Sequence, residues 1–106
     1  MLTLCIRYTL DANKLGDFET YARALPAHAV RCGAIAAAYY LPTKFAGPTN
    51  AALALIDFAS LAAYEQYRER LARDPAALEV LRQVERAGAV LVEDRSILQR
   101  AAVAPG

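Results

Sequence analysis

The chain has 106 residues, of which 57% are hydrophobic and 22% charged, and its 12 lysines and arginines nearly balance 11 aspartates and glutamates for a net charge of +1. That length predicts one domain with a core small enough to gain from a partner surface, and the near-neutral charge argues against nucleic acid or an acidic membrane as its target. No apolar run reaches the roughly 20 residues of a membrane-crossing helix, and the first residues show no leader pattern, so the expected location is the cytoplasm.

Residues 2–10 alternate, with Leu2, Leu4, Ile6, Tyr8 and Leu10 on one face and Thr3, Cys5, Arg7 and Thr9 on the other, which is the period of a strand. Asp11 and Asn13 then offer capping oxygens to a helix whose stripe is Leu15, Phe18, Ala22, Leu25, Ala29 and Cys32. Gly33 supplies its stop, and Pro26 is expected to kink it. Residues 34–41 form the second strand and 51–58 the third, separated by a loop with two prolines and Gly47. Ser60 caps a second helix with Leu61, Tyr64, Tyr67 and Leu71 inward. Asp74 and Pro75 start a third helix through Leu78, Leu81 and Val84 to Gly88, and residues 89–98 alternate as the fourth strand. The domain therefore occupies residues 1–100, with 101–106 expected to be a disordered tail.

Leu15, Phe18, Glu19, Tyr21 and Leu25 recur 46 residues later as Leu61, Tyr64, Glu65, Tyr67 and Leu71. Two βαβ halves in this order predict an α+β, ferredoxin-like βαββαβ fold, a four-stranded antiparallel sheet with its helices on one face. The other face is then bare. Strands two to four carry only Asp57, Glu93, Asp94 and Arg95, read as lying near strand ends, so that face is an apolar patch expected to pair with a second copy as a homodimer.

Four residues are candidates for ligand binding: Arg7, Tyr39, Tyr40 and Asp57. Arg7 stands mid-strand on the bare face, where its guanidinium suits a carboxylate or enolate between subunits; the plainer alternative is an ion pair with Asp57 or Glu93. Tyr39 and Tyr40 face opposite ways, so one of them looks into the same inter-sheet space. His28 and Cys32 have the spacing of two metal ligands, too few for a site, and no metal or cofactor is expected. Lys44 in the loop reads as solvated. Cys5 and Cys32 read as reduced and buried. No catalytic triad, phosphate loop or paired-carboxylate pattern is present.

Tyr39-Tyr40-Leu41-Pro42 after a glycine-ended helix, the run from Ser60 to Arg68 with Asp74-Pro75 behind it, and Glu93 to Leu98 together resemble the bacterial NIPSNAP family over most of the chain. The resemblance implies a dimeric α/β-barrel and a superfamily that includes cofactor-free oxygenases, isomerases and haem-handling enzymes. It carries over no catalytic residue. Two functions follow as expectations: a noncatalytic dimer that binds a small molecule between sheet and helices or between subunits, or a cofactor-independent oxygenase or isomerase acting on a small carbonyl or aromatic substrate.

Overall fold

A computed structural model describes residues 1–106. Its elements are β1 (Leu2–Leu10), α1 (Leu15–Arg31), β2 (Ala36–Tyr40), β3 (Ala51–Phe58), α2 (Leu61–Arg73), α3 (Pro75–Ala87) and β4 (Val90–Gln99). The sheet order is β2-β3-β1-β4 with every neighbouring pair antiparallel. This is the ferredoxin-like arrangement, with α2 and α3 sharing the second helical place.

The alternation in β1 and β3 has its physical outcome in burial. Leu4, Ile6, Tyr8 and Leu10 face the helices and are buried, as are Ala52, Ala54, Ile56 and Phe58 on β3. Cys5 is buried on the opposite face, a short side chain between Leu55 and Ser96 in register. The two alanines of β3 shape the core. Tyr8 on β1 pairs with Ala52 and Tyr39 on β2 pairs with Ala54, and these small side chains let the two rings meet across the intervening strand at 6.2 Å.

Helix α1 seals this surface with Phe18, Ala22, Leu25 and Ala29, and Tyr21 joins the stripe. It runs unbroken through Pro26. At its end Ala34 N–H bonds Ala29 O at 3.0 Å and Gly33 N–H bonds Val30 O at 3.1 Å, a paired closure that needs the positive φ of Gly33, 124°. Its start differs from expectation. Lys14 is the N-cap and no side chain caps the helix, because the Asp11 carboxylate is engaged earlier, accepting from Asn13 N–H in a local turn.

Ser60 caps α2 by accepting from Ala63 N–H at 3.1 Å, and Asp74 caps α3 by accepting from Ala77 N–H at 3.1 Å with Pro75 in the first turn. Asp74 also holds Arg31, whose hydrogen bond, with that of Ala77, keeps its carboxyl well below the usual carboxylate range. Leu61 is not on the inner face of α2 as expected. It opens the first turn of α2 and is 52% exposed, while Tyr67 is buried and Tyr64 and Leu71 are half-buried.

The helices leave β4 uncovered, and nearly all of it is exposed. Glu93, Asp94 and Arg95 sit in the middle of that edge strand rather than near its end, so their charges alternate across the sheet: Glu93 and Arg95 on the helix side, Asp94 on the bare side. Charged side chains along an exposed edge also discourage pairing with stray strands. No helix is long and apolar enough to cross a membrane. Residues 101–106 contain no helix or strand.

Candidate functional site

Between the helix side of the sheet and the helices lies a cavity of about 240 Å³, with Leu4, Ile6 and Ile56 as its floor and Tyr21, Leu25, Tyr67, Leu71 and Leu81 from the three helices as its walls. The 46-residue repeat converges here, since Tyr21 and Tyr67, and Leu25 and Leu71, all border the same space from α1 and α2. An outer lobe of about 450 Å³ lies between α3 and β4, bordered by Tyr8, Val84, Glu85, Val90, Glu93 and Arg95. Tyr21, Leu81 and Arg95 border both lobes.

Aromatic packing fixes the inner end. Tyr8 meets Phe18 edge-on at 4.9 Å, Tyr21 meets Tyr39 edge-on at 5.6 Å, and Phe58 backs Tyr64 and Tyr67 at 5.2 and 4.8 Å. The hydroxyls of Tyr21 and Tyr39 share a hydrogen bond of 3.2 Å. The Tyr8 hydroxyl is buried beside these two, without a hydrogen bond of regular geometry to either.

Burial raises the Tyr8, Tyr21 and Tyr39 hydroxyls above their ordinary range, and it pushes Tyr67 up to about 12. At neutral pH all four are protonated. They are hydrogen-bond donors, not bases. The carboxylate nearest this cluster is Glu93, directly opposite Tyr8 in register, and its Oε2 accepts from Arg95 Nε at 2.8 Å.

A model of the NIPSNAP family matches residues 3–105. The chain belongs to the NIPSNAP family. No curated protein matches the sequence. Among solved structures, a NIPSNAP domain protein from Burkholderia xenovorans superposes with a TM-score of 0.77 at 19% identity, covering 100% of each chain. A NIPSNAP family protein from Agrobacterium tumefaciens gives 0.79 at 19% identity, over 99% of this chain and 92% of that one. The fold extends further, to SnoaB, a cofactor-independent oxygenase from Streptomyces nogalater, with a TM-score of 0.72 at 16% identity over 99% and 97% of the two chains.

In this NIPSNAP chain the four candidates from the sequence separate. Arg7 and Tyr40 come together on the bare face, bordering a shallow hollow of about 510 Å³ with Asp94 and Leu53. Asp57 is on the same face but pairs in register with Thr3, four residues along β1 from Arg7, and accepts the Thr3 hydroxyl at 2.7 Å. Tyr39 turns to the helix side and joins the hydroxyl cluster. Arg7 forms no ion pair within the chain: Glu93 is on the other face with Arg95, and Asp57 is held by Thr3. His28 lies beside Arg31, and the Cys32 thiol points at Asp74 Oδ2, 3.7 Å away, so these two potential ligands serve different neighbours.

The sequence reading missed Tyr8, Tyr21, Tyr67 and Arg95 as members of one site. The repeated Tyr21 and Tyr67 were its available signal, since equivalent helix positions in two βαβ halves lie on the same face of the sheet.

Proposed function

We propose that this NIPSNAP-family protein is a homodimer that binds a small apolar molecule between its sheet and helices without acid–base chemistry of its own. The composition of the inner cavity carries this reading. Twelve of its 14 lining residues are hydrophobic, the other two are Arg68 and Arg95, and none is a carboxylate, imidazole or thiol. A ligand there meets apolar walls and protonated phenols, which orient it but remove no proton.

The dimer forms through the bare sheet face. Leu53, Leu55, Val92 and Leu98 give that face an apolar centre, and Val92 and Leu98 are 50% and 51% exposed. Arg7 and Asp94 stand opposite each other in register without forming an ion pair, so a copy related by a two-fold axis presents the opposite charge to each. Packing two sheets face to face also encloses the hollow beside Arg7 and Tyr40, a second place for a small molecule, between subunits. The folded unit spans residues 1–100, with 101–106 as its tail. The protein works in the cytoplasm, a reading supported by two free, buried cysteines.

Thermal unfolding against a panel of single-ring hydrocarbons and their oxygenated relatives tests the binding reading. A ligand at 100 times its dissociation constant adds about 2.7 kcal/mol, an increase in Tm of roughly 10 °C for a domain of this size. A panel that leaves Tm unmoved contradicts the reading.

One observation favours a cofactor-independent oxygenase or isomerase acting on a carbonyl or aromatic substrate. Glu93 borders the outer lobe opposite Tyr8, so a carboxylate and a phenol donor flank the same space. Turnover of a bound ketone that disappears in Glu93→Gln while binding persists decides for that alternative.

A further inference from the structure

On α2 the residues that border the inner cavity are Tyr64, Tyr67, Arg68, Leu71 and Ala72, the three- and four-residue spacing of one helical stripe. Arg68 therefore stands on the stripe that faces the cavity and, being exposed, at its mouth. From the sheet, β4 places Arg95 next to Ile6 of the cavity floor in register. The Arg95 side chain is 51% exposed, so it too belongs to the mouth and not to the depth. These two guanidiniums are the only charged groups among the 14 residues that line the cavity.

Their charges are not fully countered. Arg68 forms no ion pair, and its acidic neighbours on the helix, Glu65 and Glu69, do not border the cavity. Arg95 gives its Nε to Glu93, which leaves the N–H groups of its two terminal nitrogens for another acceptor. Glu85 borders the outer lobe and not this one. Two guanidiniums against the one carboxylate of Glu93 leave a surplus of one positive charge. A ligand with a single negative charge balances it, and a dianion such as phosphate overbalances it. The planar guanidinium fork also matches the two oxygens of a carboxylate. The apolar walls set the size of the rest. An apolar cavity of about 150 Å³ holds benzene, so about 240 Å³ takes one substituted ring.

We infer that the ligand is a monocarboxylic acid bearing one ring, with the ring among the apolar walls and the carboxylate at the mouth, met by Arg68 and Arg95. This rests on the cavity-binding reading above and adds the recognised group. Polar selectivity then belongs to the two arginines, which hold the anion and remove no proton.

The test is isothermal titration of the full chain at neutral pH with benzoate, phenylacetate and hydrocinnamate, each beside its methyl ketone: acetophenone, phenylacetone and benzylacetone. Each ketone keeps the ring and spacer but replaces one carboxylate oxygen by a methyl group, and the series varies the reach from ring to mouth. At least one acid is expected to bind about 10-fold more tightly than its ketone, the low end for a hydrogen bond to a charged group. Arg68→Gln, an exposed change that breaks no ion pair, is expected to remove most of that preference and leave ketone binding unchanged. Arg95→Gln leaves Glu93 facing the anion and is expected to reverse the preference. Acids that bind no more tightly than their ketones overturn the inference and leave the cavity reading standing, with both arginines serving only as apolar stems under solvated heads. A preference that survives both substitutions overturns it as well, because the anion is then held elsewhere. If no compound of either series binds, the cavity reading fails with it. Should Arg95→Gln not fold, the comparison in the unaltered protein and in Arg68→Gln decides.

Discussion

Phe18→Ala is expected to cost about 3–5 kcal/mol, the usual range for emptying a fully buried phenylalanine site. Phe18 has no exposed surface and touches Tyr8, Tyr21 and Tyr39, with ring centroids 4.9, 5.7 and 6.3 Å away. The three rings it supports belong to β1, α1 and β2, so the void has nowhere to collapse without moving the hydroxyl cluster. A domain of this size is stable by about 5–15 kcal/mol in all, and the variant therefore loses roughly a fifth or more of it. Urea unfolding followed by circular dichroism reads the loss directly. A midpoint shift worth less than about 1 kcal/mol shows that the rings repack and that the cluster is not held by this side chain.

Leu55→Lys acts on the other face of the sheet. Leu55 lies opposite Cys5 on β1 and Ala38 on β2, near the centre of the bare surface, and is half-buried within its own chain. Its side chain has no helix above it, so lysine there reaches solvent in a monomer and changes monomer stability little. In the proposed dimer the same change buries two ammonium groups, one from each copy, beside apolar side chains. Desolvating them weakens association by at least about 100-fold. Sedimentation velocity should then show the unaltered protein as a dimer and the variant as a folded monomer. Equal sedimentation of the two proteins contradicts a dimer built through this face.

The strands and helices were legible because their signals are local. Period-two burial in β1, the Ser60 and Asp74 caps and the Gly33 and Gly88 stops each depend on residues within a few positions, and each is present. The start of α1 was not legible, because Asp11 had two possible amide partners and closed a turn with Asn13 rather than capping a helix. Nor was the role of the β4 charges, since the segment gave no sign that it would be an edge strand left open by the helices.

The site was harder for a different reason. Tyr8, Tyr21 and Tyr39 come from three elements, and they meet only because Ala52 and Ala54 lie between the strands that carry two of them. That depends on sheet order and register, which no single segment encodes. The sequence could say that Tyr39 and Tyr40 face opposite ways, but not which of them faces the helices. Tyr40 went to the face of Arg7 and Tyr39 to the face of Tyr8. Arg7 was correctly oriented by alternation, whereas its lack of an ion pair followed from partners engaged elsewhere, Asp57 by Thr3 and Glu93 by Arg95.

The central claim is that a small molecule binds inside the sheet–helix cavity, and the most direct measurement is a chemical-shift map of the isotope-labelled protein titrated with acetophenone. The account predicts perturbations concentrated at Tyr8, Tyr21, Leu25, Tyr39 and Leu81, with the bare sheet face unchanged. Shifts confined to Arg7, Tyr40 and Leu53 would move the binding site to the space between subunits, and no saturable shift anywhere would contradict the claim outright.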